Sequence, residues 1–208
     1  MSREFEPGSA AAKIYPKAEK EDAEAQYNLG CCYRDGDGVV QNFLKAMKWF
    51  RKAAEQNHAN AQYNLGYCYK YTDVEGVPKD EVEAVKWFRK AAEQNVARAQ
   101  YSLGCCYEQG TGLLEDFVEA CKWFNLALAQ GHKDAVYNLE FLAYRLGCRY
   151  RDGDGAQKDA VEAYKWFNVA SIRGSEDAIT NRDSLTASMT PDQIAKAQKL
   201  FREFQPRE

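Results

Sequence analysis

Hydrophobic and small residues recur along the chain at helical spacing, in two kinds of block that alternate. The first block reads AQYNLGCCY from Ala25, and close copies begin at Ala61 and Ala99. A weaker copy, DAVYNLEFLAYRLGCRY, begins at Asp134. A second block with a Trp-Phe pair follows each one, at Trp49, Trp87, Trp123 and Trp166. Apolar positions three and four residues apart indicate helices, and strand-type alternation is absent, so each unit is predicted to be two helices.

The spacing of the tryptophans predicts the architecture. Successive tryptophans are 38, 36 and 43 residues apart. Periods of this length are typical of arrays, because one unit cannot bury its own apolar face and must stack on its neighbours. We therefore predict an all-α chain of about four helical hairpins. The predicted segments are an N-terminal arm or partial cap at 1–20, repeats at about 21–57, 58–95, 96–131 and 132–174, and C-terminal capping helices at 175–208.

Turn and cap residues support the helix boundaries. Glycine-rich loops such as RDGDG at 34–38 and 151–155 fit left-handed C-terminal caps. The second helices are predicted to start after Asn42, Asp80, Asp116 and Asp159, which are good N-cap residues. A final helix is predicted after Thr190, with Pro191 at its first position and Gln193 closing a capping box. The second loop, residues 71–80, is longer than the others. The fourth unit has seven extra residues in its first helix, close to two turns, which predicts one long helix over about 133–151.

Composition and charge exclude several classes of function. Of 208 residues, 45% are hydrophobic, which is enough apolar material for a continuous core. The net charge is −3, so a strongly basic surface for nucleic-acid binding is not expected. No apolar run reaches the length of a membrane span, so no membrane association is expected. The N-terminal residues lack the apolar region of a secretory signal. With an odd number of cysteines, seven, these features lead us to expect a cytoplasmic protein.

Few residues point to catalysis or metal binding. The column Cys32, Cys68 and Cys106 belongs to neighbouring helices roughly 8–10 Å apart, whereas a disulfide needs Cα atoms within about 7 Å, so we expect mostly buried thiols rather than a disulfide frame or a metal cluster. His58 and His132 both fall at the turn between repeats. The DGDG loops contain fewer potential ligands than a calcium-binding loop needs, so we interpret them as helix caps. No catalytic residue, metal or cofactor is therefore predicted.

The combined pattern A-x3-L-G-x2-Y, then G-x-G, then A-x2-W-F-x2-A-A resembles the SEL-one-like repeat (SLR) family, relatives of the tetratricopeptide repeat. The resemblance covers about residues 22–174. It implies a right-handed α/α superhelix that serves as a scaffold or adaptor for protein assembly, and it brings no catalytic residues. Some cysteine-rich bacterial members staple each hairpin with a disulfide, but this chain has Ala54 and Ala92 where they have a cysteine.

A column of tyrosines is the strongest candidate for a binding surface. By similarity to tetratricopeptide repeats, the position two residues before each Leu-Gly pair faces the concave groove, with further residues one and two turns later. The predicted partner-binding residues are Tyr27, Cys31, Arg34, Tyr63, Tyr67, Lys70, Tyr101, Cys105, Glu108, Tyr144, Cys148 and Arg151. Exposed rings supply contact area, and the cations Arg34, Lys70 and Arg151 suit an acidic or carboxylate-bearing ligand. The alternative is that these rings simply cover the next helix.

The predicted function is a non-catalytic scaffold that binds a protein or peptide segment on the concave face. Two alternatives stay open: a structural or self-assembling element, and a thiol-dependent enzyme, which would require a cysteine with a depressed pKa.

Overall fold

The computed structural model describes residues 5–71 and 79–205, and every regular element in these ranges is a helix. The helices are α1 (Ala10–Ala18), α2 (Ala23–Asp35), α3 (Phe43–Glu55), α4 (Ala59–Tyr71), α5 (Glu81–Glu93), α6 (Ala97–Gln109), α7 (Phe117–Ala129), α8 (Ala135–Asp152), α9 (Ala160–Ser171), α10 (Glu176–Thr186) and α11 (Pro191–Phe204). The predicted all-α class is confirmed. Most of the longer second loop, at 71–80, lies outside the described residues.

The helices group into two compact units. One takes the chain up to Leu103 together with Thr111–Leu113, and the other takes Gly104–Gly110 and the chain from Leu114 onward. In the first unit α1 to α5 pack in chain order, each helix against the next. In the second unit α7 packs on α8 and α8 on α9, while α10 and α11 both pack on α9. Contact between consecutive helices is the arrangement that stacked hairpins require.

The predicted helix starts are confirmed. Asn42 and Asp80 each accept a hydrogen bond of 2.9 Å from the backbone N–H three residues on. Asp116 and Asp159 accept from the N–H groups two and three residues on. At α11, Thr190 and Gln193 form the full capping box with Pro191 in the first turn. Each cap satisfies backbone donors that the helix cannot pair itself, so the second helix of every hairpin begins where local chemistry fixes it.

The long helix of the fourth unit is also confirmed. α8 has 18 residues, against 13 in α2, α4 and α6. Its Ala135, Leu139 and Leu146 are all buried, so both ends of the helix turn an apolar face to the core. Gly153 then ends the helix with φ 78°, a left-handed cap that favours glycine.

A glycine-to-phenylalanine contact holds each hairpin together. The glycine of the Leu-Gly pair lies so close to the phenylalanine of the Trp-Phe pair that an added Cβ would be 2.5–2.8 Å from the ring. The pairs are Gly30 with Phe50, Gly66 with Phe88, Gly104 with Phe124 and Gly147 with Phe167. All four rings are fully buried. The glycine therefore lets the two helices approach, and the ring fills the space it leaves.

A buried glutamine in each of the first three repeats adds a polar network that the sequence pattern did not predict. Gln26, Gln62 and Gln100 are at most 2% exposed. The side-chain amide of each donates to a backbone carbonyl eight residues earlier, at 3.1–3.3 Å. Gln56 then donates to Gln26 at 2.8 Å, and Gln94 donates to Gln62 at 2.7 Å. These bonds join the end of one hairpin to the first helix of that hairpin.

The C-terminal helices cover the apolar side of α9. Val161 and Tyr164 of α9 form a buried cluster with Met189 and with Ala197 of α11. The ring of Phe204 meets the ring of the buried Trp166 edge to face, with centroids 5.1 Å apart. The side chain of Asn125 donates to the backbone carbonyl of Phe204 at 2.8 Å. The end of α11 is therefore fixed to α9 and to α7.

Candidate functional site

The tyrosine column is half-buried. All four residues are partly exposed, and the rings of Tyr27, Tyr63 and Tyr144 contact the second helix of their own hairpin. Ring centroids lie 6.1 Å apart for Tyr27 and Phe50, 5.9 Å for Tyr63 and Phe88, and 6.0 Å for Tyr144 and Phe167. The two interpretations of the column are thus compatible, because these three rings each cover a helix and still remain partly exposed to solvent.

Two of these tyrosines line a groove in the first unit. The groove has a volume of about 410 Å³ and runs between the first helices of successive repeats. Its lining residues are Tyr27, Arg34, Asn60, Tyr63, Asn64, Asn95, Val96, Ala97 and Arg98. Of the predicted site residues, the structure therefore brings Tyr27, Arg34 and Tyr63 together. We call this surface the α2/α4/α6 groove.

Three polar side chains of the α2/α4/α6 groove lack partners in the part of the protein that the structure describes. Among the described residues, the side chains of Asn60, Asn64 and Arg98 make no hydrogen bond or ion pair. Other asparagines on first helices differ, since Asn28 donates to Glu24 and Asn138 to Glu108, each at 3.1 Å. The groove thus presents amide and guanidinium groups whose hydrogen-bonding capacity is available to a ligand.

Lys70 is buried, contrary to the prediction. It was predicted to be a cation of the binding surface, but the residue is only 7% exposed. Its ammonium lies 5.2 Å from the ring centroid of Tyr71, in the last turn of α4. Besides Arg34, the groove is lined by a second cation, Arg98, which the tyrosine spacing did not single out. A signal was present, because Arg98 lies three residues before Tyr101 and so shares its helix face.

Arg34 is a groove cation with an internal partner. Its guanidinium makes two hydrogen bonds to the Asp35 carboxylate, at 2.8 and 2.7 Å. Part of its donor capacity is therefore already used. Tyr67, also predicted, is 50% exposed, and its ring extends a ladder from Tyr63 at 6.3 Å to Tyr71 at 4.7 Å. Exposed rings in sequence along α4 continue the surface beyond the groove. Cys31 is half-buried beside Tyr27.

Among the predicted residues of the second unit, the charged side chains already have partners inside the protein. Arg151 bonds both carboxylate oxygens of Asp152 and the side chain of Asn181. Glu108 accepts from Asn138. Tyr144 and Cys148 lie beside one another on α8 and share a cavity of about 430 Å³ with other residues. Tyr101, in the first unit, and Cys105 are half-buried.

Burial suppresses ionisation of two phenols of the groove and of three thiols. Desolvation raises the pKa of Tyr27 and of Tyr63, and Arg98 partly opposes the rise at Tyr63. Desolvation likewise raises the pKa of Cys31, Cys32 and Cys121 above that of an ordinary thiol. Nucleophilic thiols have lowered pKa values, so these three do not meet the requirement of the thiol-dependent alternative.

This burial gives a testable prediction for Cys31. Its thiolate fraction near neutral pH is small, so alkylation by iodoacetamide is expected to be slow there and to keep accelerating above about pH 9. Peptide-resolved mass spectrometry after timed labelling, from about pH 6 to about pH 10, measures the rate at this cysteine. A rate that levels off below neutral pH would show an activated thiol and would contradict the prediction.

The cysteines, His58 and the DGDG loops, considered above for chemistry, have structural surroundings. In the described part of the chain the cysteines form no disulfide; three are buried and four are half-buried. His58 accepts a hydrogen bond from the N–H of Ala61 at 3.2 Å, which caps α4, and its other ring nitrogen lies 3.0 Å from the Glu24 carboxylate. That bond lowers the pKa of Glu24. The second glycine of each DGDG loop, Gly38 or Gly155, has φ 71°, as a turn requires.

The described residues offer neither a cluster of metal ligands nor a membrane-spanning helix. They contain no group of three or more His, Cys, Asp or Glu side chains placed to hold a metal ion. Nor does any helix in those ranges combine the length and apolarity that crossing a bilayer requires.

Solved structures that resemble this chain include a Sel1 repeat protein. A Sel1 repeat protein from Oxalobacter formigenes is 38% identical, with a TM-score of 0.56 over 62% of this chain and 96% of that one. A protective antigen of uropathogenic Escherichia coli strains, described as displaying an SLR fold, is 28% identical, with a TM-score of 0.36 over 93% of this chain and 48% of that one. Cysteine rich protein B of Helicobacter pylori is 24% identical, with a TM-score of 0.48 over 62% and 96%. No curated protein matches the sequence.

The family model for the Sel1 repeat matches four segments, 23–58, 59–96, 97–132 and 142–175. Each of the first three segments begins at the first residue of α2, α4 or α6 and spans one helical hairpin. Proteins of this family are generally non-enzymatic scaffolds for protein interaction. Since the matches cover more than half of the sequence, the chain belongs to the Sel1 repeat family.

Proposed function

We propose that this protein is a non-catalytic adaptor that binds a peptide segment with a carboxylate in the α2/α4/α6 groove. The observation that carries the proposal is the set of unpartnered polar side chains there, Asn60, Asn64 and Arg98 in the described structure. A folded protein normally pairs its polar side chains or leaves them in open solvent. Asn60 and Arg98 are exposed and Asn64 is half-buried, yet all three line one concavity beside two tyrosine rings, which suits a ligand that brings its own donors and acceptors.

The chemistry of the groove favours a peptide. A side-chain amide offers both donors and an acceptor, which matches the N–H and C=O groups of a peptide backbone. Asn60 and Asn64 are one helical turn apart on α4, so they can contact successive parts of one segment. Tyr27 and Tyr63 supply apolar surface at a low cost in side-chain entropy.

The guanidinium of Arg98 favours an acidic ligand. Arginine presents a fork of N–H donors that fits a carboxylate, and the described residues that line the groove include no Asp or Glu. Arg34 adds a second positive charge, part of which Asp35 neutralises. Charge complementarity therefore points to an acidic segment, whose association should weaken as salt concentration rises.

Binding of selected peptides tests the proposal. Random peptides displayed on yeast are selected with the full chain, and the affinity of each selected peptide is measured by fluorescence anisotropy. We expect peptides that carry Asp or Glu and that bind Arg98→Ala and Tyr63→Ala at least about tenfold more weakly, as loss of an interfacial arginine or tyrosine anchor typically does.

The matched control is Arg202→Ala, which removes an exposed arginine of α11, distant in sequence from the groove. Its affinity for the same peptides should equal that of the unmodified chain. Circular dichroism checks that each variant keeps its helices. If selected peptides bind the folded Arg98→Ala and Tyr63→Ala variants as tightly as the unmodified chain, the groove is not the binding site.

A further inference from the structure

α8 carries two exposed aromatic side chains in a segment that the repeat does not need. The family match for the third repeat ends at residue 132 and that for the fourth begins at 142. Between them lie Tyr137, which is 77% exposed, and Phe141, which is 56% exposed. The shorter first helices α2, α4 and α6 build the same hairpin without such a segment. Packing of the repeat therefore gives no reason for these two rings.

Arg145 follows the two rings at the same spacing along the helix. Tyr137, Phe141 and Arg145 are four residues apart, so each lies about 6 Å from the next on neighbouring turns. The guanidinium carbon of Arg145 is 5.6 Å from the ring centroid of Phe141 and 4.6 Å from that of Phe117. Phe117 is only 6% exposed and so provides a fixed support. Two rings thus hold the guanidinium in place.

The N–H groups of Arg145 are available, unlike those of most neighbouring arginines. Within the described residues, Arg145 makes no hydrogen bond and no ion pair. By contrast, Arg151 binds Asp152, and Arg182 binds Asp183. Arg149 donates to the backbone carbonyls of Asp154 and Gly155. A guanidinium that is fixed in position and has open donors is prepared to receive a carboxylate.

The charges around Arg145 set where that carboxylate can lie. On one side, Arg145 borders a cavity of about 430 Å³ whose lining also includes Arg149 and three carboxylates, Glu115, Asp152 and Asp154, so acids outnumber arginines there. An incoming acid would be repelled there. On the other side lie the exposed rings of Phe141 and Tyr137, with Glu140 half-buried between them in sequence. The favourable position is therefore on the Phe141 side of Arg145, next to apolar surface.

We propose that Tyr137, Phe141 and Arg145 form a second docking surface, which binds an acidic segment of a partner protein. The segment places a carboxylate on Arg145 and a large apolar side chain against the rings of Phe141 and Tyr137. Tyrosine and arginine are the residues that most often dominate protein interfaces. A stripe of three side chains is much smaller than the ~800 Å² per partner of a stable dimer, which favours a short segment over a second copy of the chain.

The test uses selected peptides and two variants of the full chain. Random peptides of about 12 residues, an extended length of about 40 Å, are selected with the unmodified chain. They are then sorted for those that no longer bind Arg145→Gln or the double variant Tyr137→Ser/Phe141→Ser. We expect peptides with Asp or Glu beside a large apolar residue, and a loss of affinity of at least about tenfold in each variant.

The groove variant Arg98→Ala is the matched control, because it removes an arginine of the first unit. Peptides of the α8 surface should bind it normally, so failure of one site does not imply failure of the other. Thermal unfolding followed by circular dichroism checks the fold, which should persist because both replaced rings are exposed.

Three results would overturn the proposal. The first is that no selected peptide depends on these side chains, or that the dependent peptides lack acids. The second is binding to phosphatidylserine vesicles that the same variants abolish, which would identify a membrane surface instead. The third is a dimer by light scattering that Tyr137→Ser/Phe141→Ser converts to a monomer, which would identify a second copy as the occupant.

Discussion

Replacing Gly66 by valine is expected to lower the free energy of unfolding by about 3 kcal/mol, as overpacking a buried site does. A Cβ on this residue would lie 2.8 Å from Cδ1 and 2.9 Å from Cε1 of Phe88, and 3.1 Å from the carbonyl oxygen of Ala84. Phe88 is fully buried and cannot swing away, and the carbonyl belongs to the backbone of α5. The added carbons must therefore push α4 and α5 apart. Urea unfolding monitored by circular dichroism gives the change in stability.

Gly66→Ala separates this contact from helix propensity. In an exposed helix, alanine in place of glycine stabilises by about 1 kcal/mol. Here we expect destabilisation instead, smaller than with valine. Adding Phe88→Leu should recover part of the loss, because the smaller side chain makes room for the new carbon atoms. If Gly66→Ala and Gly66→Val both leave stability unchanged or raise it, the close contact does not limit the approach of the helices.

Much of the fold could be predicted because the decisive interactions are local. The N-caps at Asp80, Asp116 and Asp159 depend on residues two or three positions away, and the sequence contains both partners. The length of α8 followed from an insertion close to two helical turns, which leaves Leu139 and Leu146 on the same buried face. Periodicity and cap chemistry are properties of a short stretch of chain, so pattern alone can identify them.

The candidate site was less predictable because it depends on the register between neighbouring hairpins. Tyr27 and Tyr63 were predicted together and do line one groove, but Arg98 enters that groove from the next repeat. Lys70 was predicted to be exposed from its spacing along one helix, yet it is buried. Helical spacing gives the face on which a side chain lies. It does not give what the adjacent helix places over that face.

The buried glutamine network also depends on neighbouring helices, so helical spacing alone did not predict it. Gln62→Leu is expected to lower the free energy of unfolding by about 2 kcal/mol, the typical cost of leaving buried polar groups unpaired. The side chain is 2% exposed and donates to the Ala54 carbonyl at 3.3 Å and to the Asn57 side chain at 3.1 Å. It also accepts from Gln94 at 2.7 Å. Leucine fits the volume but replaces none of these bonds.

Comparison of three variants isolates the cause of that loss. Gln198→Leu, at an exposed position of α11, should change stability by less than about 0.5 kcal/mol, so it controls for the substitution itself. Gln94→Ala should cost less, because Gln62 keeps both hydrogen bonds that its amide N–H groups donate, and water can reach the carbonyl oxygen of Gln62 once the exposed Gln94 side chain is removed. A large loss for Gln62→Leu alone would show that the buried amide, rather than the pairing of two glutamines, stabilises the hairpin. Equal losses for Gln62→Leu and Gln94→Ala would instead show that the hydrogen bond between the two side chains supplies the stability. No loss at either position would mean that water replaces these hydrogen bonds at negligible cost.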